Sequence, residues 1–354
     1  MLFDMDELNG QYIYLHTNPG PYFRTHRSVL NLSVANKRLR SVCIGNLFRD
    51  IHRCSSTMGQ LNRQLKDIEP NSQILSSTRT CEDVTSSRQD YIPYKTRLPK
   101  VLPMMPFLKE LSVTHRKHVD FSTLERTFSK ADVTLPTVVG LRIQCPGDWW
   151  FLVEACPNTE ILVLRDNLYH EGLMEKVQQL ENLLRLELYD KCWDEGDIEY
   201  LQKQLPYLES LALKGGIGNQ DVLPWVKQFC GFSLLQTLAM TLDDREEWRR
   251  ESVFSDDSDV ANSIVRRRFR GGSGIDQYLV AMTYFDSCPA LESLWLIERG
   301  ITVSPWTAVR QSDGKVSSLQ NDYHDPGMPG EGWQWFRLRR LPSGTQLPRR
   351  NHFV

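Results

Sequence analysis

Apolar residues recur along this chain in a short fixed figure: a turn residue, then x-Leu-x-x-Leu-x-Leu. The clearest copies are PYLESLAL at 206–213 and PALESLWL at 289–296, identical at six of eight positions. Five more begin at Pro106, Pro136, Pro157, Glu181 and Ser233. From Pro106 to Ser233 each copy starts about 20 to 30 residues after the one before, and the last interval, from Ser233 to Pro289, is about twice as long. Inside each figure the last two leucines alternate with one other residue, as Leu162 and Leu164 do around Val163. That is the period of a strand with one face buried. Between figures lie amphipathic stretches of helical length, at 120–131, 148–155, 172–180, 194–205, 221–229 and 276–287.

Each unit therefore reads strand, then helix, and neither element can bury its apolar side alone. Stacked neighbours share one continuous core, with parallel strands lining one face and helices the other. A period of about 20 to 30 residues is that of leucine-rich repeats. The expected fold is an α/β solenoid of this type, with parallel strands on the concave face. The units occupy 100–300 and are interrupted by a charged insertion at 244–275. It contains Asp256, Asp257 and Asp259, then Arg266, Arg267, Arg268 and Arg270, and closes on Gly271, Gly272 and Gly274. Residues 55–99, rich in Ser, Thr, Arg and Gln, read as a linker or an irregular first repeat. The tail, 301–354, has Trp306, Trp333 and Trp335 but no repeat period.

Composition narrows the function. The chain has 354 residues, 40% hydrophobic, and a net charge of −2, so there is no global electrostatic attraction to nucleic acid. MLFDMDEL at the start is acidic where a secretory signal is basic, and no apolar run reaches the roughly 18 residues of a membrane span. A cytoplasmic or nuclear protein is expected, with no membrane partner. Eight cysteines without a C-x-x-C pair predict scattered thiols and neither a disulfide framework nor a metal site. Cys156 and Cys288, each just before a repeat proline, are expected in the core, as are Trp149 and Trp150 on the helical side.

One segment carries a resemblance. LNLSVANKRLRSVCIGNLFRDIH, residues 30–52, resembles the later half of an F-box in the F-box and leucine-rich-repeat-like family of filamentous fungi. CPNTEILVL at 156–164, MTYFDSCPALESLWL at 282–296 and EGWQWFRLRR at 331–340 are similar to the same family. The resemblance implies the substrate-recognition subunit of a cullin-RING ubiquitin ligase. Its partners would be a cullin adaptor protein, docked on Leu32, Val34, Leu39 and Val42, and a protein substrate held by the repeats. The Leu-Pro-x-Glu-Ile/Leu element that usually opens an F-box has no match between Met1 and Val29. The same segment also fits an amphipathic cap on the first repeat, and the chain then reads as a repeat scaffold with no ligase role.

In such a solenoid the residues between and after the inward leucines face the sheet surface. They are Ser112, Thr114, Arg142, Gln144, Arg165, Glu187, Tyr189, Lys214, Thr241 and Trp295. Aromatic and Arg side chains there are the types enriched in binding hot spots. Catalytic patterns are weak. His115 and His118 lack the H-E-x-x-H arrangement, and Gly215, Gly216 and Gly218 lack the remainder of a dinucleotide fingerprint, so they read as a strand-to-helix turn. No G-x-S-x-G elbow and no phosphate-cradling G-x-x-x-x-G-K-[ST] occurs. A binding protein with no cofactor, and no enzyme, is expected. Ser255 and Ser258, beside the aspartates of the insertion, are candidates for acid-directed phosphorylation that Arg266 to Arg268 could pair with. The RRRFR run could serve as a nuclear signal.

Overall fold

The structure is a computed structural model that describes residues 48–55, 57–85, 92–115, 121–145, 149–165, 173–217, 223, 225–241, 277–298 and 302–321. Its strands are β1 (Asp50–Ser55), β2 (Thr80–Thr85), β3 (Glu110–His115), β4 (Gly140–Gln144), β5 (Ile161–Arg165), β6 (Arg185–Trp193), β7 (Ser210–Ile217), β8 (Thr237–Thr241), β9 (Ser293–Glu298), β10 (Thr302–Arg310) and β11 (Val316–Asn321). They form one sheet in sequence order. Every pairing from β1 to β9 is parallel, and β9, β10 and β11 turn back on one another antiparallel. The helices are α1 (Met58–Ile68), α2 (Ser72–Ser77), α3 (Ile92–Val101), α4 (Ser122–Lys130), α5 (Trp150–Ala155), α6 (Leu173–Gln178), α7 (Glu195–Gln204), α8 (Val226–Cys230) and α9 (Gln277–Ser287). Strand–helix alternation along a parallel sheet is the expected leucine-rich-repeat-like solenoid.

The repeats are tied at one point per coil. The backbone carbonyl just before each strand accepts two N–H groups from the next turn. Arg49 accepts from Arg79 (2.7 Å) and Thr80 (3.1 Å), and Arg79 from Lys109 and Glu110. Lys109, Val139, Glu160, Leu184 and Glu209 continue the series as far as Gln236, which accepts from Glu292 (2.8 Å) and Ser293 (2.9 Å). The last rung spans the interval that holds the insertion, and the strand register is kept there, Thr237 opposite Ser293. Insertion 244–275 itself, with Ser255, Ser258 and the RRRFR run, lies outside the described residues.

Leu111, Leu141, Leu162, Leu186, Leu211, Leu238 and Leu294 align across the sheet as a buried row. Val113, Ile143, Leu164, Leu188, Leu213, Met240 and Leu296 form a second. Helix residues such as Leu124, Phe128, Leu152, Val177, Leu201 and Phe229 cover them, and one core runs from Ile51 to Trp306. Each buried leucine contributes about 2 kcal/mol. Local signals fix the helix starts. The Thr57 side chain accepts from the Gln60 backbone N–H at 3.3 Å at the head of α1, and Asp194 and Asp197 form a capping box on α7.

The solenoid begins earlier than residue 100. Residues 50–101 hold two further strand–helix units in register with β3, so of the two readings of 55–99 the structure takes the irregular repeat. Asp50, Ile51 and His52, at the end of the F-box-like segment, belong to strand β1 and continue no helix; Ile51 is buried in the solenoid core. Residues 1–47, which include 30–47 of that segment, lie outside the described residues. At the other end, part of the tail is the β10–β11 hairpin. Arg310 joins it to the end of α9, donating to the Phe285 (2.9 Å), Leu291 (3.3 Å) and Cys288 (3.4 Å) carbonyls. Cys156 and Cys288 are buried, Trp149 is buried and Trp150 packs half-buried against the core, as expected. The glycine run is not a turn at its start: Gly215, with φ +140°, and Gly216 continue β7, and Gly216 pairs with Cys192. Only glycine takes that φ without strain.

Candidate interaction face

The sheet face turned away from the helices carries two registered rows. One is Glu82, Ser112, Arg142, Val163, Glu187, Ala212, Ala239 and Trp295. The other is Val84, Thr114, Gln144, Arg165, Tyr189 and Lys214. Strand spacing of about 4.8 Å sets the rise between neighbours in a row. Period-2 alternation therefore places the sequence-derived residues Arg142, Gln144, Arg165, Glu187, Tyr189, Lys214 and Trp295 at register positions of one face.

That face has two sectors. Over β2 to β4 it is open: Glu82, Val84, Ser112, Thr114, Arg142 and Gln144 are all half-exposed. Ser112 Oγ donates to Glu82 at 3.5 Å, while Arg142 makes no ion pair among the described residues. Over β5 to β8 the face is closed. Val163, Ala212, Ala239 and Thr241 are buried, and so are Glu187 (1% exposed) and Lys214 (3%). Lys214 donates to Glu187 and to the Tyr189 hydroxyl (2.5 Å), with its ammonium 4.4 Å from the centre of the Tyr189 ring. A charge taken out of water needs such partners. Glu187 and Lys214 thus serve each other, and Tyr189 and Trp295 remain half-exposed. Leu32, Val34, Leu39 and Val42 lie outside the described residues.

On the helix side, the first units hold polar groups that sequence reasoning did not single out. At the position occupied by Val113 and Ile143 in later strands, β1 and β2 carry Arg53 and Asp83, which form an ion pair at 2.6 Å, 3% and 1% exposed. The Tyr94 hydroxyl donates to Asp83 at 2.9 Å, and Arg53 donates to the Cys81 sulfur at 3.3 Å. Burial works against the guanidinium, but Asp83 beside it, with Cys81 and Tyr94, holds its pKa above the usual value. One strand further, His115 is buried between Phe121 (ring centres 5.2 Å apart) and Trp149 (5.3 Å). Neither of its ring nitrogens has a hydrogen-bond partner among the described residues. Burial first, and nearby Lys95 second, lower its pKa to about 3. This cluster is a core device, and no group of three or more His, Cys, Asp or Glu able to hold a metal occurs among the described residues. Nor, among them, is any helix long and apolar enough to cross a membrane.

No family model matches the chain, and no curated protein matches it. The fold and the geometry of the face are therefore the ground for a functional reading.

Proposed function

We propose that this chain binds a target protein through the open β2–β4 sector of its helix-free face. In this reading it acts as the substrate-recognition subunit of a cullin-RING ubiquitin ligase, with Leu32, Val34, Leu39 and Val42 as its adaptor-docking residues. The observation that carries the binding role is the division of the face. Its centre is closed and internally paired, whereas the flanking sector exposes Arg142 without an ion-pair partner among the described residues, beside Gln144, Thr114 and Ser112. Arg is among the side chains enriched at binding hot spots. The ligase role is supported by the F-box-like residues alone.

Co-elution of the purified chain with its cognate cullin adaptor tests that role, with a variant carrying Leu32→Asp and Leu39→Asp as control. A stable complex lost in the variant supports the ligase reading. Absence of a complex at micromolar concentration, from a chain shown to be folded, leaves a repeat scaffold that binds its partner without a ligase.

A further inference from the structure

Two thiols meet on the helical side of the solenoid, far apart in sequence. Cys230 ends α8 and Cys288 follows α9, and their Sγ atoms are 2.9 Å apart. Cys230 is half-exposed and also reaches the Ser287 carbonyl at 3.1 Å, while Cys288 is buried. The backbone around Cys288 is held by Arg310, which bonds the carbonyls of Phe285, Cys288 and Leu291. Other cysteines are placed differently: Cys81 accepts from Arg53, Cys145 donates to the Val113 carbonyl, and Cys156 is buried in the core. A disulfide needs its sulfurs about 2.05 Å apart, so closing the pair requires less than about 1 Å of movement.

We propose that Cys230 and Cys288 are a reversible redox modification site, oxidised to a disulfide by exchange with a small disulfide such as oxidised glutathione. Cys230, the accessible member, loses its proton to solvent, and the thiolate attacks one sulfur of glutathione disulfide. That S–S bond breaks, one glutathione leaves as a thiolate, and a mixed disulfide remains on Cys230. Cys288 then gives up its proton to solvent and attacks the Cys230 sulfur, expelling the second glutathione. Two protein thiols become one disulfide, and one glutathione disulfide is reduced to two thiols. Burial raises the pKa of Cys288, so the closing step accelerates as pH rises. The bond closes a ring over a separation of 58 residues that includes the charged insertion 244–275, fixing both ends of that segment covalently. In a reducing compartment such a bond is transient and responsive, not structural.

The test is to incubate the full chain with graded ratios of oxidised to reduced glutathione, quench with acid, alkylate, and read intact mass and peptide maps. The expected product has lost two hydrogens and links the peptides of Cys230 and Cys288, and dithiothreitol reverses it. Cys288→Ser is expected to stop at one glutathione on Cys230, and Cys230→Ser to leave Cys288 unmodified. A wild-type chain that accumulates the Cys230 adduct without closing, that links other cysteines, or that does not react overturns the proposal. The wild-type map alone decides, whatever the folding of the variants.

Discussion

Asp83→Ala removes the counter-charge of a guanidinium that has almost no access to water. Arg53 and Asp83 are 3% and 1% exposed, and among the described residues one guanidinium nitrogen of Arg53 is engaged while its Nε and the other terminal nitrogen have no hydrogen-bond partner. With Asp83 gone, the Tyr94 hydroxyl also loses its acceptor. Breaking a buried ion pair from one side costs about 3–5 kcal/mol, because the remaining charge is left uncompensated. In a solenoid that loss stays with the units that contain it. Hydrogen exchange is the suitable assay: protection of β1 and β2 amides is expected to fall by roughly two to three and a half orders of magnitude, at about 1.4 kcal/mol per tenfold. Strands β5 to β8 should keep theirs. Replacing the whole group by apolar residues, Arg53→Met with Asp83→Leu and Tyr94→Phe, is expected to restore protection to at least the wild-type level. A single Asp83→Ala that changes β1 and β2 protection less than about fivefold, roughly 1 kcal/mol, would refute the reasoning. So would a triple variant as unstable as the single one.

Three further outcomes are expected. His115 is neutral in the fold, with its pKa depressed to about 3, and binds a proton below about 6.5 when unfolded, so it contributes stability that is lost as pH falls from 6.5 toward 3. Between pH 7 and pH 5 urea titrations should show wild type losing about 2 kcal/mol relative to His115→Leu, and parallel pH profiles would count against this. Arg310→Ala removes bonds to the Phe285, Cys288 and Leu291 carbonyls and should cost about 1.5–3 kcal/mol, seen as faster exchange in β10 and β11 with β3 to β5 unchanged. Lys214→Met removes the buried counter-charge of Glu187 and should lower stability by about 3–5 kcal/mol in thermal or urea unfolding, whereas Arg142→Ala, half-exposed and without an ion pair among the described residues, should change it by less than about 0.5 kcal/mol.

The alternating leucines made β3 to β9 and the helices between them readable, because two registered rows of apolar residues run through those strands. The first two strands carry Arg53, Cys81, Asp83 and Thr85 at those positions, so the apolar figure disappears although the fold does not. A register signal did exist: Asp50, Thr80, Glu110 and Gly140 are aligned across the sheet and evenly spaced along the chain, and extending the first repeat interval backward finds both strands. Alternation also assigned Glu187 and Lys214 to the correct side of the sheet. It carries no information on what covers that side, so two buried, mutually paired charges looked like free surface. Contacts such as Cys230 with Cys288, or Arg310 with the end of α9, join residues distant in sequence and depend on helix placement that no local period encodes.

The shared carbonyl before each strand makes the coil length a free variable. Successive rungs from Arg49 to Glu292 lie closest together along the chain between Val139 and Glu160 and more than twice as far apart between Gln236 and Glu292, yet each closes with the same two hydrogen bonds. The chain is thus gauged once per turn and unmeasured in between. New sequence can enter on the returning, helical path without shifting any strand, which makes that path the place to graft a reporter or a second binding element. A single residue added between the rung and its strand would instead flip every side chain of that strand to the opposite face.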